Sequence, residues 1–257
     1  MISGVFMNTY FKNLNRIEFV VTNSCTGRCK HCSQGEHSGL SHFIDMDIAA
    51  KLVSDVAAVF TIESVMTFGG EPLLYPDTVC AVHKAARKMN IPQRQLITNG
   101  YFTKSTDNMK SVVAKLYNSG VNEILLSADA FHQETIPLEA VKAFAAEILK
   151  YKISISVHPA WLVNKSADNE YNRRTKEILA VFEQMGIEQS SGNDIIPVGN
   201  AQKYFSEYYD LSKEYVSPYA ENPFDVHTIT ISPNGDVLGG NIYKDDILTI
   251  LDGYQPE

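Results

Sequence analysis

At 257 residues, 44% hydrophobic and 20% charged, the chain is long enough for one large α/β domain or two small ones and too apolar for disorder. Its 22 Lys+Arg against 30 Asp+Glu give a net charge of −8, which excludes the broad positive field that a phosphate backbone requires, so no nucleic-acid partner is expected. Residues 1–11 lack the charged start and apolar run of a signal peptide, and no later stretch approaches about 18 uninterrupted apolar residues, so no membrane partner and a cytoplasmic location are expected.

Strand-like runs hand over to helical periodicity six times along the chain. Residues 17–22 form a nearly continuous apolar run, as a strand covered on both faces requires. Ile48, Leu52, Val53, Val56, Ala57 and Phe60 then recur at helical spacing behind Asp45 and Asp47. A strand at 64–68 precedes a helix with Val79, Val82, Ala86 and Met89 on one face, and a strand at 95–98 precedes one with Val112, Val113, Leu116 and Tyr117 that Gly120 stops. A strand at 123–129 pairs with a helix carrying Val141, Phe144 and Ile148; one at 153–158 pairs with a helix carrying Ile178, Phe182 and Met185; residues 194–198 supply a sixth strand. Units of about 31 residues are βα repeats, and their alternation predicts a parallel sheet with helices outside, curled into a partial TIM-like (βα)6 barrel.

Sites in such a fold belong on the loops at the C-terminal ends of the strands, and the unusual residues fall there. They are the cysteines after strand one, Gly69-Gly70-Glu71-Pro72 after strand two, Thr98-Asn99-Gly100 after strand three, Ser127 and Asp129 at strand four and His158 at strand five. Strand five alternates Ile153, Ile155 and Val157 with Ser154, Ser156 and His158, so its polar face is expected to line the lumen. Beyond residue 200 a Tyr-rich connector leads to a hairpin, with 228–232 and 237–238 flanking the turn Pro233-Asn234-Gly235-Asp236.

Three of the four cysteines, Cys25, Cys29 and Cys32, crowd into eight positions, whereas Cys80 stands apart in a helical pattern and reads as a small apolar residue. In a reducing compartment such a cluster points to metal. Three thiolates can hold three irons of a 4Fe-4S cube and leave the fourth iron open; a structural zinc with His31 or His37 as fourth ligand, or an incidental cluster, are the alternatives.

The C-x3-C-x2-C loop followed by Gly-Gly-Glu-Pro about forty residues on resembles the radical S-adenosylmethionine (radical SAM) superfamily over residues 16–200. The resemblance implies a core barrel over 12–200 and a C-terminal extension over 201–257. It implies that Cys25, Cys29 and Cys32 carry one 4Fe-4S cluster, that the open iron binds S-adenosylmethionine (AdoMet), and that an electron donor such as flavodoxin or ferredoxin is a partner. His31 sits where an aromatic residue meets the adenine; Gly69, Gly70 and Glu71 sit where the ligand's ammonium group is received. Asn99 and Ser127 stand in further ligand-binding motifs, and Ile196 stands where an apolar residue covers the adenine. Ser-Ala-Asp at 127–129 is similar to the S-x-D of peptide- and sulfatase-modifying members, but no arginine follows within 131–135, which assigns Asp129 to the substrate. With His158 it is the candidate catalytic pair.

Pro197-Val198-Gly199-Asn200-Ala201 and the hairpin resemble the approach to the SPASM or twitch extension that holds auxiliary clusters, yet Gly239 and Gly240 stand where its cysteine is expected and no cysteine follows Cys80. The expected function is hydrogen-atom abstraction from a peptide or protein side chain by a single-cluster enzyme. A small-molecule substrate, a glycyl-radical activase and a non-catalytic metal-binding module are the competing readings.

Overall fold

The structure is a computed structural model that describes residues 8–37, 42–217 and 219–256; residues 1–7, on which part of the reading of the N-terminus rests, lie outside the described residues. The βα rhythm appears in chain order. β1 (Arg16–Val20) leads through the cysteine loop to α1 (Met46–Val59), β2 (Ser64–Phe68) to α2 (Pro76–Lys88), β3 (Gln93–Thr98) to α3 (Thr106–Ser119), and β4 (Glu123–Leu126) to α4 (Leu138–Ile148). β5 (Ser154–Val157), β6 (Ala160–Leu162), α5 (Glu170–Gln184), β7 (Glu188–Gln189), β8 (Asn193–Ile195) and α6 (Asn200–Tyr204) follow. β9 (Thr228–Ile231), β10 (Asp236–Val237), β11 (Gly240–Asn241) and α7 (Ile247–Gly253) come last. No helix among the described residues is long and apolar enough to cross a membrane.

Local chemistry sets the helix boundaries. Asp45 caps α1 by accepting from the backbone N–H groups of Asp47 and Ile48, and Ser105 caps α3 by accepting from Asn108; each cap is worth about 1 kcal/mol. Gly120 ends α3 in the left-handed conformation at φ 98°, and a Cβ there would press within 2.7 Å of the Arg87 side chain.

A seven-stranded sheet in the order β7-β5-β4-β3-β2-β1-β9 has every pair parallel, with edges at β7 and β9. This is the α/β architecture of an open, partial barrel. The central strands are buried, with Ile17, Phe19, Val65, Leu96, Ile124 and Leu126 packed in one core beneath Val53, Val56, Val82, Val113, Val141 and Phe144 of the helices.

Three features depart from the sequence reading. The sixth strand of the sheet is the short β7, whereas β8 pairs in parallel with β6 in a separate two-stranded sheet. Pro159 accounts for this, because it has no N–H to continue the ladder of β5. The chain leaves the sheet there, and Asn193 N–H donates to Pro159 O at 2.9 Å, beside a Gly192 whose Cβ would fall 2.2 Å from the same oxygen.

The second departure is the hairpin. It joins β10 to β11 through Leu238 and Gly239, both at positive φ as a two-residue primed turn demands, instead of spanning 228–238. The third is β9, which runs parallel to β1 and closes over it. Val226, Ile229, Ile231, Ile247 and Leu251 consequently share the core of Ile17 and Phe19, so packing is continuous across residue 200.

Candidate active site

Loops leaving the C-terminal ends of β1 to β4 converge on a cavity of about 110 Å³. Its wall brings together Cys25, Cys29, Cys32, His31, Gly69, Gly70, Asn99 and Ser127, joined by His37, Ile97, Thr98 and His132. Of the residues singled out by the sequence, Glu71, Asp129, His158 and Ile196 do not line it.

The double glycine has a steric cause. Gly69 has φ 142°, and a Cβ on it would sit 2.5 Å from Thr22 O; one on Gly70 would sit 2.1 Å from Ser24 O. Backbone thus presses on backbone, with Gly70 N–H donating to Thr22 O at 2.7 Å and Glu71 N–H to Ser24 O at 2.8 Å. The turn after β2 thereby fixes the root of the cysteine loop.

Glu71 itself does not line the cavity; its carboxylate, expected to face a ligand, is instead taken up by neighbouring donors. It is the N-cap of a 3-10 turn at Pro72–Leu74, so its side chain folds back. Oε1 accepts from Leu73 N–H at 2.9 Å and from the Thr98 hydroxyl at 2.7 Å, and Oε2 accepts from Asn99 N–H at 2.8 Å. Complete burial pushes its pKa up to about 7 against the lowering effect of these donors. Glu71 is a brace between the ends of β2 and β3. Through it Asn99 is placed, whose Oδ1 accepts from Tyr101 N–H at 2.8 Å and whose Nδ2 donates to Thr26 Oγ1 at 3.1 Å and lies 3.6 Å from Cys25 Sγ.

The three cysteines are free thiols. Burial pushes Cys25 up to about 11 and raises Cys29 and Cys32 as well. Near neutral pH they are protonated until a metal displaces the protons, which is how thiolate sites load. His37 stands over Cys32, with Nδ1 donating to Asn23 O at 2.6 Å and Nε2 3.4 Å from Cys32 Sγ. The His31 ring packs between Phe131, at 5.0 Å between centroids, and His132, at 4.8 Å. Its buried Nδ1 has no hydrogen-bond partner among the described residues, and burial lowers its pKa to about 4, so it is neutral. Three soft sulfur donors on one wall, faced by an orphaned ring nitrogen and two glycines, fit a 4Fe-4S cluster held by three cysteines with a ligand beside it.

The remaining candidates lie elsewhere. Asp129 is fully buried, and its carboxylate accepts from the N–H groups of Phe131, His132 and Ala160 and from His132 Nδ1. Burial alone would raise its pKa, but His132, His31 and the backbone donors outweigh it and hold the carboxyl well below the usual range. His158 turns to Ser190, with Nδ1 2.7 Å from Oγ, and burial lowers its pKa. The register Ile97–Leu125–Ser156 sets Ser156, and with it Ser154 and His158, on the sheet face of the cavity-lining Ile97, although none of the three lines the cavity itself. Ile196 follows β8 out of the main sheet and lines a separate open groove of about 910 Å³ with Asn164, Lys165, Ser166, Ser191, Asn193, Asp194 and Tyr219.

Besides Ile97 on the cavity wall, two residues of the site escaped the sequence reading. His132 is one; its signal was the i, i+3 spacing from Asp129 at the start of a 3-10 turn. Asn200 is the other. Its N–H donates to Cys32 O at 2.9 Å, and its Nδ2 donates to Cys29 O and Gly35 O, both at 3.2 Å. Gly199, at φ 57°, permits this approach, because a Cβ there would lie 2.4 Å from Ser33 O.

A model of the Radical SAM superfamily matches residues 19–156, more than half of the chain. The probable GTP 3′,8-cyclase of Saccharolobus solfataricus is 26% identical over 217 residues, which are 82% of this chain and 67% of that one. Among solved structures, anSMEcpe with bound AdoMet superposes with a TM-score of 0.61 at 15% identity, covering 94% of this chain and 80% of that one. BtrN in complex with AdoMet and 2-DOIA gives a TM-score of 0.51 at 16% identity, covering 93% and 82%. At these identities the structural likeness shows the fold.

Proposed function

The chain belongs to the radical SAM superfamily and is an enzyme of it, and from that premise we propose that Cys25, Cys29 and Cys32 hold a single 4Fe-4S cluster with AdoMet bound beside it. The observation that carries this reading is the convergence of the three thiols with Gly69, Gly70, Asn99 and Ser127 on one cavity. When bound, cluster and AdoMet supply a 5′-deoxyadenosyl radical that takes a hydrogen atom from the substrate. This chain's own residues do the rest. The backbone of Gly69 and Gly70, open on the cavity, receives the ammonium of the ligand, while Glu71 keeps the turn and Asn99 in register from behind. The neutral His31 ring offers an apolar face to the adenine, and Ser127 offers a hydroxyl. An electron donor of the flavodoxin or ferredoxin class would supply, through the cluster, the one electron that cleavage of AdoMet consumes.

For the substrate we favour a peptide or protein side chain over a nucleotide. The open groove beside β6 and β8, separate from the cysteine cavity and read here as the place for the rest of the substrate, sets one cation, Lys165, against one acid, Asp194, too little counter-charge for a triphosphate. Its carboxamides and hydroxyls, from Asn164, Asn193, Ser166 and Ser191, are the groups that pair with peptide backbone. The resemblance to a probable GTP 3′,8-cyclase makes GTP the second substrate to test. The experiment is to reduce the reconstituted enzyme with AdoMet and to offer deuterium-labelled peptides and, separately, labelled GTP. Deuterium in 5′-deoxyadenosine with peptide alone is the expected result; transfer from GTP alone would overturn the substrate assignment.

A further inference from the structure

Asp129 and His132 form a pair whose geometry leaves one atom free to act. Asp129 Oδ1 accepts from the N–H groups of Phe131 and His132, both at 2.9 Å; Oδ2 accepts from Ala160 N–H at 2.9 Å and lies 2.8 Å from His132 Nδ1. An ionised carboxylate has about four acceptor positions, so no capacity remains for a substrate. Because that carboxylate only accepts, Nδ1 of His132 must carry the hydrogen between them. With Nδ1 committed to Asp129, Nε2 is the ring atom left to present a lone pair.

His132 is on the wall of the cavity that holds the three cysteines, and Nε2 makes no hydrogen bond to a described residue. The titratable groups in contact with the ring are Asp129 and His31, and Glu71 and His158 are near enough to feel its charge. His31, Asp129 and His132 offer ligand atoms within 4.8 Å of one another, but the filled coordination of Asp129 leaves them no open carboxylate for a metal.

We propose that His132 Nε2 is the proton acceptor this cavity offers to an O–H or N–H group of its occupant, and that Asp129 is the positioning residue that fixes its tautomer. In the step, the X–H bond breaks with its electron pair left on X. The proton bonds to Nε2, and the resulting imidazolium is balanced by the Asp129 carboxylate. The inference rests on the cavity being the reaction chamber proposed above. The donor group belongs either to AdoMet or to the substrate, and the experiment separates the two.

The probe is diethylpyrocarbonate, which on histidine acylates an accessible ring nitrogen bearing a free lone pair. His132 is the sole histidine between Lys115 and Lys142, so fragment masses of that tryptic peptide report it apart from Tyr117, with the half-exposed His227 as internal reference. In reconstituted wild-type enzyme His132 is expected to react alongside His227. With AdoMet at about ten times its dissociation constant, a rate roughly tenfold lower assigns the donor group to AdoMet; an unchanged rate assigns it to the substrate.

Asp129→Asn is expected to slow acylation of His132. The new amide nitrogen settles on the side of the imidazole and Ala160, where it opposes one backbone donor and the tautomer can reverse, rather than on the side of Phe131 and His132, where it would oppose two, and Nε2 then carries the hydrogen. A wild-type His132 that stays unmodified while His227 reacts overturns the proposal, and an unchanged rate in an Asp129→Asn protein that still binds iron overturns the positioning role. Iron content and 5′-deoxyadenosine formation in the same samples read the cluster assignment separately. Their failure would not be mistaken for failure of the histidine.

Discussion

Glu71 is a buried carboxyl whose folded-state pKa is raised to about 7 from an ordinary 4.5. A raised acid pKa means that the folded protein binds the proton more tightly than the unfolded chain. Its contribution to stability is therefore complete below pH 4.5 and is lost as pH rises through 7, by about 3 kcal/mol. His31 and His83, both lowered by burial, act in the opposite sense below pH 6.5, so the effect is isolated by difference. Thermal unfolding of wild type and Glu71→Gln should show the wild type losing ground steadily between pH 4.5 and 7; a difference that does not vary with pH would contradict the assignment. Residues of this kind show what a sequence conceals. The cysteines and the double glycine were legible because their spacing is local and their chemistry is fixed by residue type. The direction of the Glu71 side chain depends on Pro72 opening a 3-10 turn, and the filled coordination of Asp129 depends on Ala160, 31 residues away.

At the scale of elements, the cysteine loop is held from two sides, by the Gly69-Gly70 turn and by the start of α6. Asn200 supplies three hydrogen bonds to the loop backbone, two of them through its side chain. Removing those two in Asn200→Ala should speed the loss of iron to a chelator by about 3- to 10-fold, as one net hydrogen bond's worth of loop stability implies. Lys203→Ala, which removes the exposed pair with Glu36 at 2.8 Å and an exposed contact over the Tyr204 ring, neither of them to the loop backbone that Asn200 holds, should leave the rate unchanged. Equal rates in Asn200→Ala and wild type would show that α6 merely lies beside the loop. Helices and central strands could be read because their periodicity is written in each segment. The fate of β8 could not, since it turns on Pro159 ending β5 and on a glycine close approach, and the hairpin moved because Leu238-Gly239 takes the positive φ values that Pro233-Asn234 does not.

For the molecule as a whole, the six-fold βα alternation specified a parallel sheet with its sites at one end, and the fold follows that rule. What remained hidden was the return of β9 to pair with β1, a contact between residues more than two hundred positions apart that leaves no local signature. It brings Ile229, Ile231, Val237, Ile247 and Leu251 into the barrel's own core, and Asn8 Nδ2 donates to Tyr254 O at 2.6 Å. Cys80 lies on α2, packed against the core and outside the cavity, so the central claim is that three cysteines and no others hold iron. The most direct test is iron per chain after anaerobic reconstitution. About four irons are expected in wild type and in Cys80→Ala, with most of them lost in Cys29→Ala. About eight irons in wild type, or iron retained in Cys29→Ala, would contradict it.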